Sequence, residues 1–253
     1  MTLVRESGFH FGRWLLHLRR EPYSMAFNLV QPVILLIFMG GAFQRAGEWV
    51  GTADYRTYLM PGVLALTIFG NSMAGGIPLL FDRESGLLER LLTTPIARAS
   101  ILLGRFLAVH VNTLIQCALL LGLGFLLGVR VVTGVAGVIG LLVIGLALGF
   151  GVTVISLVLP FVLENHGNFF AIVGITALPL TFLSSAFVPL DSLPLWMRLF
   201  AWINPMTYAI DGMRALVLFG WDGPLIARAT VILAAFDGAA FWLGSRILHK
   251  QLA

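Results

Sequence analysis

Apolar residues run through this chain in long blocks. Five stretches contain at least 23 residues each without an Asp, Glu, Lys or Arg. They are bounded by Glu21 and Arg45, Arg56 and Asp82, Arg105 and Arg130, Arg130 and Glu164, and Glu164 and Asp191. A sixth, Ala229–Ser245, has 17 residues and one acid, Asp237. About 20 apolar residues in a helix cross roughly 30 Å of hydrocarbon. Lipid offers no partner to a bare backbone amide, and these blocks are too long for barrel strands. The pattern predicts an all-α membrane protein with six transmembrane helices, near 25–43, 58–80, 104–128, 137–160, 168–188 and 225–247. With short loops, no internal repeat and no low-complexity linker, residues 1–253 read as a single membrane domain.

Three segments outside the blocks carry their own pattern. Residues 5–20 place His10, Arg13, His17 and Arg20 on one helical face, with Phe11, Leu15 and Leu18 opposite, until Pro22 stops the helix. Such a helix lies along a membrane surface. Between 82 and 98, Asp82 is placed to cap a short helix with a Leu87, Leu88, Leu91 and Leu92 stripe, which Thr94-Pro95 ends. Between 191 and 220, Asp191-Ser192 and Asn204 are each placed to cap a half-helix, with Pro194 and Pro205 just inside. These two pieces, near 193–203 and 205–218, are too short to span and too apolar for water. A re-entrant pair broken at Asn204-Pro205 is predicted, its Trp196, Trp202 and Trp221 suiting a membrane interface.

Charge adds orientation. Only 11% of the residues are charged, and seven of them fall between Asp82 and Arg105. A charged stretch so placed must face water or a protein partner. With the N-terminus cytoplasmic, the inner segments hold ten of the sixteen Lys and Arg residues and the outer ones six. The positive-inside rule thus sets both termini in the cytoplasm. The net charge of +4 is mostly a topology signal, and nucleic-acid binding is not expected. The first apolar block, about 19 residues, exceeds the apolar core of a signal peptide and is read as a retained span.

Candidate chemistry is sparse. Cys117 is the single cysteine and sits within the third span, which excludes an intrachain disulfide and a thiolate metal cluster. The single lysine, Lys250, cannot complete a phosphate-binding loop. No H-E-x-x-H or G-x-S-x-G occurs. Glu164 and His166 read as a solvated loop end. No catalytic residue and no metal site is expected, so any ATP is bound by another polypeptide. Gly124/Gly128 and Gly145/Gly149 form small-residue pairs, read first as intrachain packing. Polar groups in spans are costly when unpaired, so Gln31, Asn71, Asn112 and Gln116 should face other helices or a cavity. Asp237, near the bilayer midplane, is either protonated or hydrogen-bonded, or it faces a transport cavity. Asp237, Gln31, Asn71 and Asn112 are the candidate pathway residues.

The order of residues carries more. Arg83-Glu84, Gly86, Leu88-Glu89, Leu91 and Thr94-Pro95, followed by Leu103-Gly104-Arg105, resemble the cytoplasmic loop of type-2 ABC-transporter permeases. Leu87 stands where that family often has Thr. The segment 204–214, NPMTYAIDGMR, resembles the same family's motif between its fifth and sixth spans, and supplies Asn204, Pro205, Tyr208 and Arg214. The resemblance covers nearly the whole chain and is closest to the daunorubicin-exporter, drug-resistance branch. It implies a permease subunit of an ABC exporter in the bacterial plasma membrane, moving a hydrophobic drug-like compound or lipid outward. It also implies a second permease subunit, more readily a homodimer than a heterodimer, and two soluble ATPase subunits that bind ATP and Mg. Glu84, Glu89, Arg90, Thr94 and Pro95 become the expected ATPase contacts. Two readings stand beside it: polysaccharide or glycolipid export by a sister branch, and an ion-coupled secondary transporter.

Overall fold

The computed structural model describes residues 12, 22–45, 52, 54–87, 90, 98–163 and 165–252. Among them the protein is helical, with no strand. Helix α1, Pro22–Ile34, continues through a π-helical turn at Leu35–Met39 and a last turn at Gly40–Ala42. Then follow α2 (Tyr55–Ala74), α3 (Ile77–Glu84), α4 (Arg98–Leu126), α5 (Gly134–Val162) and α6 (His166–Phe182). Two short helices, α7 (Leu195–Ile203) and α8 (Pro205–Arg214), precede the last, α9 (Gly223–Leu252). A π-helical turn, Ala215–Phe219, prolongs α8.

Four helical stretches are long and apolar enough to cross a membrane: Tyr55–Glu84, Ser100–Leu126, Gly134–Val162 and Gly223–Lys250. Phe27–Ala42 and His166–Phe182 are shorter apolar helices at two further predicted positions. The predicted surface helix at 5–20 lies, apart from Gly12, outside the described residues.

Helix α2 is the centre of the bundle. Its Leu59, Met60, Val63, Leu64 and Ile68 are almost wholly buried, against α4, α5 and α8. Helix α9 packs along α5. In lipid such packing relies on close approach more than on hiding apolar surface. Accordingly Gly145 and Gly149 of α5 both receive Ile68 of α2, so this small-residue pair serves packing within the chain. Cys117 is buried and free, as a packing residue.

Between α2 and α3 the helix breaks at Gly75-Gly76, and neighbouring helices take up the freed backbone groups. The Gly76 N–H donates to Ser156 Oγ at 2.9 Å, Ser156 Oγ donates to the Met73 carbonyl at 2.5 Å, and Arg105 Nε donates to the Gly75 carbonyl at 2.9 Å. Here the structure corrects the predicted cap: Asp82 lies inside the last turns of α3, which ends at Ser85 and at Gly86 with φ 71°. A left-handed residue of this kind suits glycine and closes a helix. The Arg90 N–H donates to the Gly86 carbonyl at 3.3 Å, and Leu87 and Arg90 are helical.

Candidate functional site

The charged segment meets the rest of the molecule at the junction of α5 and α6. Arg83 Nη1 donates to the Pro160 carbonyl and, at 2.8 Å, to the Leu163 carbonyl. These carbonyls end a helix and lack internal partners, so a guanidinium completes them and complements the negative end of the helix dipole. Glu84 Oε1 accepts from the backbone N–H of His166 at 3.2 Å and lies 2.9 Å from His166 Nδ1. The pair is partly exposed, at 35% for Glu84 and 59% for His166. His166, read from the sequence as a solvated loop residue, thus holds a residue expected to touch a partner. The sequence offered no local signal for this, because the two are 82 positions apart. Arg90 is exposed. Glu89, Thr94 and Pro95 lie outside the described residues, as does Glu164.

At the other end of the helices the 204–214 motif forms a knot. Asn204 caps α8, its side-chain oxygen accepting from the Met206 N–H at 3.0 Å. Its amide nitrogen donates to the Leu180 carbonyl at 2.7 Å and the Leu183 carbonyl at 2.8 Å, both at the C-terminal end of α6. One buried side chain thereby closes two helices. Pro205 opens α8, where its missing N–H costs nothing. Tyr208 donates its hydroxyl to the Trp202 carbonyl at 2.6 Å, which ties α8 back to α7. The expected cap at Asp191-Ser192 is corrected: these residues form a 3₁₀ turn, and α7 starts after Pro194 with no side-chain cap.

Arg214 is nearly wholly buried. Its Nη2 donates to the Ser185 carbonyl at 2.7 Å, its Nη1 lies 3.5 Å from Asp211 Oδ1, and its guanidinium sits 3.8 Å over the Tyr58 ring. Ser185 Oγ donates to Asp211 Oδ1 at 2.7 Å. The irregular segment 183–188 is thus bound from α8, while Tyr55 donates to the Phe187 carbonyl at 2.7 Å. Ala186 lies so close to Gly62 of α2 that a Cβ there would strike the Ala186 carbonyl.

The candidate pathway residues do not gather in one place. Gln31 is exposed on α1, with the exposed Phe27, Val30 and Ile34 around it. Asn112 and Asn71 are half-buried; Asn112 Oδ1 accepts from Gln116 Nε2 at 3.4 Å, and Asn71 Nδ2 is buried without a partner. Asp237 Oδ1, also without a partner, packs on Gly151 of α5. Gly149 faces Ser72 and His110 of α2 and α4, whereas Gly151 faces α9. Two residues apart on a helix is about 200° of turn, so α5 stands between Asp237 and those polar groups. Arg228 and Arg246 turn to the Tyr208 and Trp242 rings, at 5.0 and 4.0 Å. Among the described residues no His, Cys, Asp and Glu group could hold a metal ion.

A bundle of apolar helices, with a charged turn at one end of α6 and a hydrogen-bonded knot at the other, defines a helical membrane protein. The ABC-2 type transporter family model matches residues 11–218, and the chain belongs to that family. It is 32% identical to a transport permease named ycf38 from Pyropia yezoensis, over 99% of this chain and 91% of the relative. It is 27% identical to the daunorubicin resistance ABC transporter permease protein DrrB1 of Streptomyces coeruleorubidus, over 92% of this chain and 83% of that one. A doxorubicin resistance ABC transporter permease protein, DrrC of Mycobacterium tuberculosis, is 28% identical over 88% and 80%.

Proposed function

We propose that this chain is the membrane subunit of an ATP-driven exporter that moves a hydrophobic, drug-like compound or a lipid out across the bacterial plasma membrane. Four long apolar helices together with Phe27–Ala42 and His166–Phe182 make a six-span subunit, with both termini cytoplasmic and α7–α8 set in the outer leaflet. Two copies pair, most simply as a homodimer, and each engages one soluble ATPase that binds ATP and Mg. The observation that carries this reading is the Arg83-Glu84 turn, which is bonded to the α5–α6 junction, with Arg90 exposed beyond it. Glu89, Arg90, Thr94 and Pro95 supply the face toward the ATPase. Glu84 stands with them as a contact and also bonds the first turn of α6 through His166.

The test is co-expression with a P-loop ATPase encoded beside the gene. Charge reversal at Glu89 and Arg90 together should abolish co-purification and daunorubicin-stimulated hydrolysis while the permease remains folded in the membrane. Unchanged assembly in the double reversal refutes the assignment. A wild-type chain that binds no ATPase, yet moves cargo when an ion gradient is imposed, would favour the ion-coupled alternative.

A further inference from the structure

Among the described residues, helix α6 takes side-chain hydrogen bonds from other elements at its two ends. Val173, Ala177 and Leu180 touch the core and Phe169 is buried, while Phe170, Ile175, Leu178 and Phe182 are exposed. Its first turn is closed by Asn165, whose Oδ1 accepts from the Asn168 N–H at 2.9 Å, and is gripped by Glu84 through the His166 backbone and ring. Its last turn contains Pro179, which removes one internal hydrogen bond. Asn204 takes hold just there, on the Leu180 and Leu183 carbonyls. From His166 to Leu180 is 14 residues of helix, about 21 Å at roughly 1.5 Å per residue.

We propose that α6 is a strut that carries motion of the charged turn to the outer half-helix pair, with Glu84 and His166 as its inner joint and Asn204 as its outer joint. All three are positioning residues: they touch no cargo and no nucleotide. Displacement of Glu84 pulls the first turn of α6 directly, because it holds a backbone N–H as well as a side chain. A helix transmits axial load with little loss, since each turn is internally bonded. At the far end the load passes to the start of α8 through Asn204, whose other atom is that helix's cap. The irregular segment 183–188, hydrogen-bonded to Arg214 and Tyr55, moves with it or resists it. That ATPase movement is what drives the strut rests on the function proposed above; the mechanical link itself does not.

The link is testable in the full chain alone, in lipid nanodiscs where both faces reach the reagent. In a Cys117→Ala background, Val188→Cys reports the outer end and Asn168→Cys the inner one, by their rates of reaction with a maleimide. Glu84→Ala should raise both rates, that at 188 by roughly five- to tenfold, the opening that loss of one charge-assisted bond permits. Glu84→Gln, which keeps an acceptor for the His166 N–H, should restore the slow rate at 188. Glu84→Leu, which keeps the bulk and removes the acceptor, gives the same readout where Glu84→Ala yields too little protein. A changed rate at 168 with an unchanged rate at 188 overturns the strut. In the complex with the ATPase, ADP and vanadate should alter labelling at 188 in the wild type and not in Glu84→Ala. Persistence of that nucleotide effect in Glu84→Ala also overturns it. A wild type without any nucleotide effect instead removes the exporter reading and leaves the two-ended link standing on the nanodisc result.

Discussion

A Cβ on Gly76 would collide with the Ser156 carbonyl, and the Ser156 hydroxyl bonds the Gly76 N–H at 2.9 Å. The break between α2 and α3 is therefore built around close contact of Gly76 with Ser156 of α5, beside the Arg105 bond to Gly75. Gly76→Ala forces two backbones apart and should lower stability by about 1–3 kcal/mol, the usual cost of overpacking. Gly70, on the same helix, has open space at its Cβ position. Gly70→Ala should leave the melting temperature, measured by fluorescence-detected size exclusion, unchanged or slightly higher. Equal loss in both variants would show that the close approach at Gly76 does not matter.

Arg214 and Tyr58 predict opposite responses. Arg214→Lys keeps the charge but loses the planar group that bonds Ser185 while lying on the Tyr58 ring. It leaves Asp211 poorly paired, and folded yield should fall with a cost of roughly 3 kcal/mol. The Tyr58 hydroxyl is buried with no hydrogen-bond partner. Tyr58→Phe should thus be neutral or slightly stabilising. A sharp loss in Tyr58→Phe would reveal a partner for that hydroxyl.

Asp237 and Gly151 should be coupled. A Cβ on Gly151 would come within 2.6 Å of Asp237 Oδ1. Gly151→Ala alone should reduce the amount of folded protein, and Asp237→Ala in the same chain should recover part of it. Additive losses in this cycle would mean that the two do not share one space. The cavity role of Asp237 has a separate readout: Asp237→Asn should impair export of a cationic cargo such as daunorubicin only if that side chain lines the pathway.

Sidedness gives a fourth expectation. In the Cys117→Ala background, a cysteine at position 223 should react with an impermeant reagent from outside intact cells. Cysteines at 90 and 250 should react only after permeabilisation. External labelling at 90 would invert the topology.

The helical class and four long apolar spans were legible because uninterrupted apolar blocks have one solution in lipid. The Asn204-Pro205 break was legible for a local reason: a cap residue before proline specifies a helix start from two positions alone. Its second role was not, since the Leu180 and Leu183 carbonyls lie 24 and 21 residues away and every residue has a carbonyl. The same holds for Glu84 with His166 and for Ser156 with Gly76. Gln31 shows the converse. Sequence says that a glutamine in a span needs company, and the structure of one chain leaves it on the outside.

The broken helix has one more consequence. A span that bends in hydrocarbon would ordinarily strand an amide in oil, at a cost of several kcal/mol. At Gly75-Gly76 that cost has already been met by Ser156 and Arg105, residues of other helices. The lower part of the span follows a break whose backbone groups are bonded by protein rather than left open. Its angle is set by side chains on α4 and α5, so the direction in which Arg83 and Glu84 point is a property of three helices rather than of one.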